Sequence, residues 1–119
     1  MGAATAAAAG VLVMALAGSV VAHSLLLESS PAAGVTLTDA PPQISLRFNN
    51  RIEKKLSTIR VLDERGASRP VTVLVADGPA ERMTAALPPL AVGAWCVEWQ
   101  VLSTDGHIVR GSFSFRIAR

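Results

Sequence analysis

Cysteine, tyrosine and histidine are nearly missing from this chain, and each shortage removes a class of protein. Cys96 is the only cysteine among 119 residues, so no internal disulfide can form and the fold must stand on its apolar core. There is no tyrosine, and three phenylalanines and two tryptophans make up the whole aromatic content. Of three methionines only Met83 lies beyond residue 22, so a site built from several soft sulfur ligands cannot be assembled. Charge of one sign is also lacking: the formal balance is +2, with arginines and lysines scattered rather than striped, which gives nucleic-acid binding no support. Beyond residue 22 no apolar run approaches the ~20 residues that a bilayer span needs, so that part reads as a soluble protein.

The first 22 residues differ from the rest. Met1 to Ala22 contains no charged residue, holds the apolar run Val11-Leu12-Val13-Met14-Ala15-Leu16-Ala17, and ends in Val20-Val21-Ala22. Small residues at −3 and −1 are what signal peptidase reads, and the Ala- and Gly-rich composition argues against a membrane anchor. Residues 1–22 are therefore expected to be a cleaved signal peptide. Residues 23–119 would follow as one exported domain, periplasmic or otherwise outside the cytoplasm. Removing 22 of 119 residues leaves 97, enough for one small domain and too few for two.

The mature region reads as short strands with no sustained helical periodicity. Ile44, Leu46 and Phe48 alternate with Gln43, Ser45 and Arg47, the period-2 pattern of a half-buried strand. Ser57 to Asp63 repeats it around Ile59 and Val61, and Asp63-Glu64-Arg65-Gly66 supplies a turn. Val71, Val73 and Val75 mark another strand, closed by Asp77-Gly78-Pro79, and Arg82 to Leu87 a weaker one. Gly93 to Ser103 sets Trp95, Val97, Trp99 and Val101 on one face and Cys96, Glu98 and Gln100 on the other. A final strand turns Phe113, Phe115 and Ile117 inward. With Leu25 to Leu27 as the first, there are about seven, and the prolines fall between runs or at their starts. The expectation is all-β: an Ig-like Greek-key β-sandwich.

Two histidines are the whole histidine content, and both stand at informative places. Cleavage after Ala22 would make His23 the N-terminal residue, offering an α-amine and an imidazole together. The other lies in Asp105-Gly106-His107, between the two most aromatic strands and so at one end of the sandwich. An i, i+2 spacing in an extended segment aims two side chains the same way, with Gly106 allowing a bend. If the first strand begins at that end, His23, Asp105 and His107 supply an amine, two imidazoles and a carboxylate. Such a set suits tetragonal Cu(II), one per chain. Asp-Gly is also a leading hairpin-turn dipeptide, and a histidine after it can be an ordinary surface residue. From the residues alone both readings stay open.

Longer stretches bring a resemblance. Ala22-His23-Ser24-Leu25, then Ser29-Ser30-Pro31-Ala32-Ala33-Gly34, the strand Ile44-Ser45-Leu46-Arg47-Phe48, and the closing Trp99-Gln100-Val101-Leu102-Ser103-Thr104-Asp105-Gly106-His107 with Gly111-Ser112-Phe113-Ser114-Phe115 together resemble the CopC family of periplasmic copper-binding proteins. The likeness spans essentially the whole mature chain, and it implies His23, Asp105 and His107 as Cu(II) ligands and a CopD-like inner-membrane protein as a partner. Some members carry a Glu shortly after the Phe of the second strand, where this chain has Asn49-Asn50. Members with a Met-rich segment bind Cu(I) at a second site, and that segment is absent here. The resemblance implies a Cu(II)-only, soluble, monomeric carrier or sequestering protein without enzymatic activity.

Two other functions compete. A copper-bound N-terminal histidine also occurs in polysaccharide-oxidising monooxygenases, but those need an open coordination position and a polymer-binding face. A metal-free sandwich acting as a partner-binding or adhesion module is the other. Cys96 reads as a small side chain tolerated in a strand, and Glu53-Lys54-Lys55 as solvated surface. Intact mass and N-terminal sequencing of the exported protein should show His23 as the first residue; any other start removes the amine from the candidate site.

Overall fold

The computed structural model describes residues 24–119; the expected signal segment and His23 lie outside the described residues. Nine strands run in the order β1 (Leu26–Ser30), β2 (Thr36–Leu37), β3 (Gln43–Phe48), β4 (Thr58–Leu62), β5 (Ser68–Arg69), β6 (Thr72–Val73), β7 (Arg82–Ala86), β8 (Gly93–Leu102) and β9 (Ile108–Ile117), with one 3-10 turn at Lys54–Leu56 before β4. No helix of the described residues is long and apolar enough to cross a membrane.

The strands form two sheets, ordered β1-β3-β7-β6 and β2-β9-β8-β4-β5. Every pairing is antiparallel except β2 with β9. The chain crosses between sheets after β1, β2, β3, β5 and β7, with β2 running beside β9 in the second sheet. These crossings give the Ig-like Greek key, here with a four-stranded sheet facing a five-stranded one.

Alternation explains what fills the interior. Ile44, Leu46 and Phe48 of β3, Ile59 and Val61 of β4, Met83 and Ala85 of β7, Trp95, Val97, Trp99 and Val101 of β8, and Phe115 and Ile117 of β9 are all buried. These are the positions that period-2 patterning assigns to the inner faces. Phe48 meets Trp99 edge to face, with centroids 5.2 Å apart and planes at 73°, a favoured arrangement of ring quadrupoles.

The departures from expectation lie in short elements. β2 and β5 have two residues each, too few for an alternation to show. Of the expected Val71–Val75 strand, Thr72 and Val73 pair opposite Ala86 and Ala85, Leu74 N–H still donates to the Thr84 carbonyl at 2.9 Å, and Val75 is exposed. The first strand starts one residue later than Leu25 and runs on to Ser30. At the far end from the β8–β9 turn, Asp63 closes the β4–β5 hairpin. Its carboxylate accepts N–H bonds from Ala67 and Arg65, and with the Arg69 guanidinium beside it these hold its carboxyl below the usual range.

The β8–β9 hairpin is the longest pairing, in unbroken register from Gly93 opposite Ile117 to Leu102 opposite Ile108. It depends on a close approach. Gly111 sits opposite Trp99, and a Cβ there would stand 2.3 Å from the indole ring. The ring therefore occupies the space that any larger residue's side chain would need, and Trp99 is packed against Phe48 behind it. Gly111→Ala should cost about 1–3 kcal/mol by overpacking, read as a lower denaturation midpoint with an unchanged denaturant slope; an unchanged midpoint would contradict this packing.

Candidate metal centre

Ser103 to His107 links β8 to β9 and carries two of the three candidate residues. The loop closes through Ser103 N–H to the His107 carbonyl at 2.8 Å and Gly106 N–H to the Ser103 carbonyl at 2.9 Å. Gly106 has φ of +87°, the left-handed conformation that three-residue hairpin loops require at their last position. Asp105 and Gly106 thus lie in a tight turn, not in the extended segment that their spacing suggested.

The two side chains meet because of that turn. Asp105 Oδ1 accepts the His107 backbone N–H at 3.1 Å, the bond to a residue two further on that makes Asp a turn former. Asp105 Oδ2 lies 3.0 Å from His107 Nδ1. A carboxylate at Nδ1 fixes the proton there and directs the imidazole lone pair to Nε2, the usual arrangement for a metal-ligating histidine. An ionised carboxylate has about four lone-pair sites, so Asp105 can hold His107 and still offer an oxygen to a cation. The imidazole is mostly solvent-facing and the Asp105 side chain about three-quarters covered, an accessible pair on a rigid base. The donor types and their convergence fit half of a tetragonal copper site.

The N-terminal segment arrives at the same end. Ser24, fully buried, donates its backbone N–H to Ser103 Oγ at 3.1 Å, and Ser103 Oγ donates in turn to Ser24 Oγ at 2.7 Å. Asn49, just past the end of β3, grips Leu25 twice: Leu25 N–H donates to Asn49 Oδ1 at 2.7 Å, and Asn49 N–H to the Leu25 carbonyl at 2.9 Å. Ser103 also bridges Ile52, so the segment, the end of β3 and the β8–β9 loop are tied together. His23 itself is not among the described residues.

Sequence reasoning missed Ser24, Ser103 and Asn49. Ser24 and Ser103 are 79 positions apart, and no spacing links them. Asn49 marks only the place where some CopC members carry a Glu; here it holds backbone. Lys54, expected as solvated surface, donates through Nζ to the carbonyls of Asp77 at 2.6 Å and Gly78 at 3.3 Å. Cys96 is half-buried on the outward side of β8, opposite Leu62 and Ser114. Met83 is buried in the core, so among the described residues no thioether faces solvent.

Comparison with known proteins places the fold and the family. Residues 26–118 match the family model described as the CopC domain. Copper resistance protein C of Escherichia coli is 32% identical over 116 residues, covering 91% of each chain. The crystal structure of CopC from Methylosinus trichosporium OB3b is 35% identical, with a TM-score of 0.74 over 80% of this chain and 93% of that one. PcoC, a methionine-rich copper resistance protein from Escherichia coli, is 24% identical and shares the fold, with a TM-score of 0.73 over 82% of this chain and all of its own.

Proposed function

The chain belongs to the CopC family of copper resistance proteins, and from that premise we propose that it is an exported carrier or sequestering protein for one Cu(II). In this reading the ion is held by the α-amine and imidazole of a processed His23 together with Asp105 and His107. The observation that supports it most is the Ser24–Ser103 bond. Ser24, which follows His23 in the chain, is fastened to the loop that carries Asp105 and His107. Cleavage after Ala22 would thus free an amine beside the carboxylate–imidazole pair.

The chemistry favours Cu(II). Three nitrogens and one carboxylate oxygen make a tetragonal set for the ion at the top of the divalent affinity order. A Cu(I) site would want thioethers, and the one methionine beyond residue 22 is buried. Binding is favoured over oxidative turnover for two reasons. With Asp105 in the fourth place no position remains for dioxygen, and the aromatic residues are Phe48, Trp95, Trp99 and Phe115 in the core with Phe113 packed against it, which leaves no aromatic face for a polymer. The mature protein is read as a soluble periplasmic monomer that passes copper to or from a CopD-like membrane transporter.

Titration of processed protein should show one tightly held Cu(II), with a tetragonal electron paramagnetic resonance spectrum carrying nitrogen couplings. Protein with even one residue left before His23 should bind much more weakly, because an amide nitrogen replaces the amine. A rhombic thiolate-type spectrum would implicate Cys96 instead, and equal affinity in both forms would remove the amine from the site.

Acidification should release the copper. Ligands bind deprotonated, so protons compete with copper for them, and apparent affinity should fall steadily between neutral pH and about pH 5. Asp105→Asn should weaken binding but keep most of this slope, while His107→Ala should lose one nitrogen coupling and flatten part of it. An affinity independent of pH across that window would contradict the nitrogen ligands.

A further inference from the structure

Arginines that are scattered in the sequence are gathered by the register of the second sheet. On the outer face of β4, β8 and β9, Arg60 stands opposite Glu98, and Arg110 opposite Gln100. Both long side chains lean inward over β8: Arg60 Nη1 donates to Glu98 Oε1 at 3.3 Å, and Arg110 Nε to Gln100 Oε1 at 2.7 Å. Glu98 and Gln100 are successive residues on that face, about 7 Å apart along the strand. Two guanidinium groups, one from each flanking strand, are thus drawn together above the middle one. They border an open groove of about 450 Å³.

Like charges repel, so this convergence leaves a place for an anion. Glu98 balances one of the pair. Gln100 is neutral, and among the described residues no carboxylate lies within ion-pair distance of Arg110. A guanidinium carries five N–H donors, and the bonds to Glu98 and Gln100 engage one nitrogen of each, so both arginines keep donors for a further acceptor. Thr58, opposite Gln100, and Ser112, opposite Glu98, add hydroxyls beside the groove. Arg116 follows on the same face of β9, opposite Ala94 and roughly 20 Å from Arg110.

We propose that this face is a docking surface for an acidic polypeptide segment, with one carboxylate of the partner seated between Arg60 and Arg110 and further acidic residues running toward Arg116. The strip is several times longer than a single oxyanion, and its positive charges are spaced along a strand, which matches an extended chain with acids at intervals. Arginine forks pair with carboxylates through two parallel N–H bonds. The grips of Glu98 and Gln100 hold the two guanidiniums in place beforehand, which reduces the side-chain freedom a partner must freeze. Exposed charges of this kind give fast, salt-sensitive association rather than high affinity. The surface lies outside the copper site, and neither reading depends on the other.

The test titrates three probes into the exported protein without metal, at low salt, and follows the amide resonances. The probes are an oligo-glutamate peptide of about eight residues, long enough to span Arg110 to Arg116, an oligo-glutamine peptide of equal length, and inorganic phosphate. Oligo-glutamate should shift the amides of Thr58–Arg60, Glu98–Gln100 and Arg110–Arg116, and oligo-glutamine should not. Arg60→Gln and Arg110→Gln should each weaken the binding about two- to five-fold. Gln100→Glu, which supplies Arg110 with a carboxylate from within, should weaken it at least as much. Arg82→Gln, an equal change of charge at an exposed position on the other sheet, should leave it unchanged. Equal loss in Arg82→Gln would show attraction to net charge alone and overturn the proposal. So would phosphate shifting the same amides at the same concentration, which would mark a small-oxyanion site, or oligo-glutamate leaving those amides unmoved. Cu(II) affinity should be the same in Arg60→Gln and Arg110→Gln as in the wild type, so failure here leaves the copper reading standing.

Discussion

A pair of buried hydroxyls, 2.7 Å apart and 79 residues apart in sequence, is the contact on which the rest of the candidate site depends. Ser103 ends the long alternation of β8 and opens the turn that presents Asp105 and His107. Ser24 opens the described chain. Joined, they hold the segment that leads into β1 at one place beside the mouth of the hairpin. The pair is closed on itself, each hydroxyl satisfied within it or by the Ser24 amide, so its burial carries no unpaired polar group. Asn49 adds a second, exposed grip one residue further on.

The base under that contact is a core with no covalent reinforcement. With a single cysteine and so no internal disulfide, rigidity at the site comes from packing directly beneath it. The β8–β9 hairpin supplies this through ten paired positions and through Trp99, clamped between Phe48 and the bare backbone of Gly111. A loop held on such a hairpin keeps the Asp105 carboxylate and the His107 ring in register without help from a bound ion, which lowers the ordering cost that a metal must meet.

Much of the fold was legible because its strands are long enough to alternate. Ile44 to Phe48, Ile59 to Val61 and Trp95 to Val101 announce their inner faces, and the sandwich follows from them. β2 and β5 were not legible, since two residues carry no period, and the exposure of Val75 depends on its neighbours rather than on its own apolar character. The site was half legible. Asp105 and His107 stand out because histidine is so scarce here, although a turn rather than an extended segment joins them. Ser24, Ser103 and Asn49 are ordinary polar residues in sequence, and their role exists only where distant strands meet. His23 and the segment before it lie outside the described residues.

The scarcity of histidine also offers the most direct measurement of the central proposal, that copper takes its nitrogen ligands from His23, through amine and ring, and from the His107 ring. Protein grown with ¹⁵N-histidine and all other nitrogen as ¹⁴N would be processed, loaded with one Cu(II) and studied by electron–nuclear double resonance. Because the chain has only two histidines and the terminal amine belongs to one of them, every strongly coupled nitrogen should be ¹⁵N. A strongly coupled ¹⁴N, which could come only from a nitrogen outside those two residues, would contradict the account.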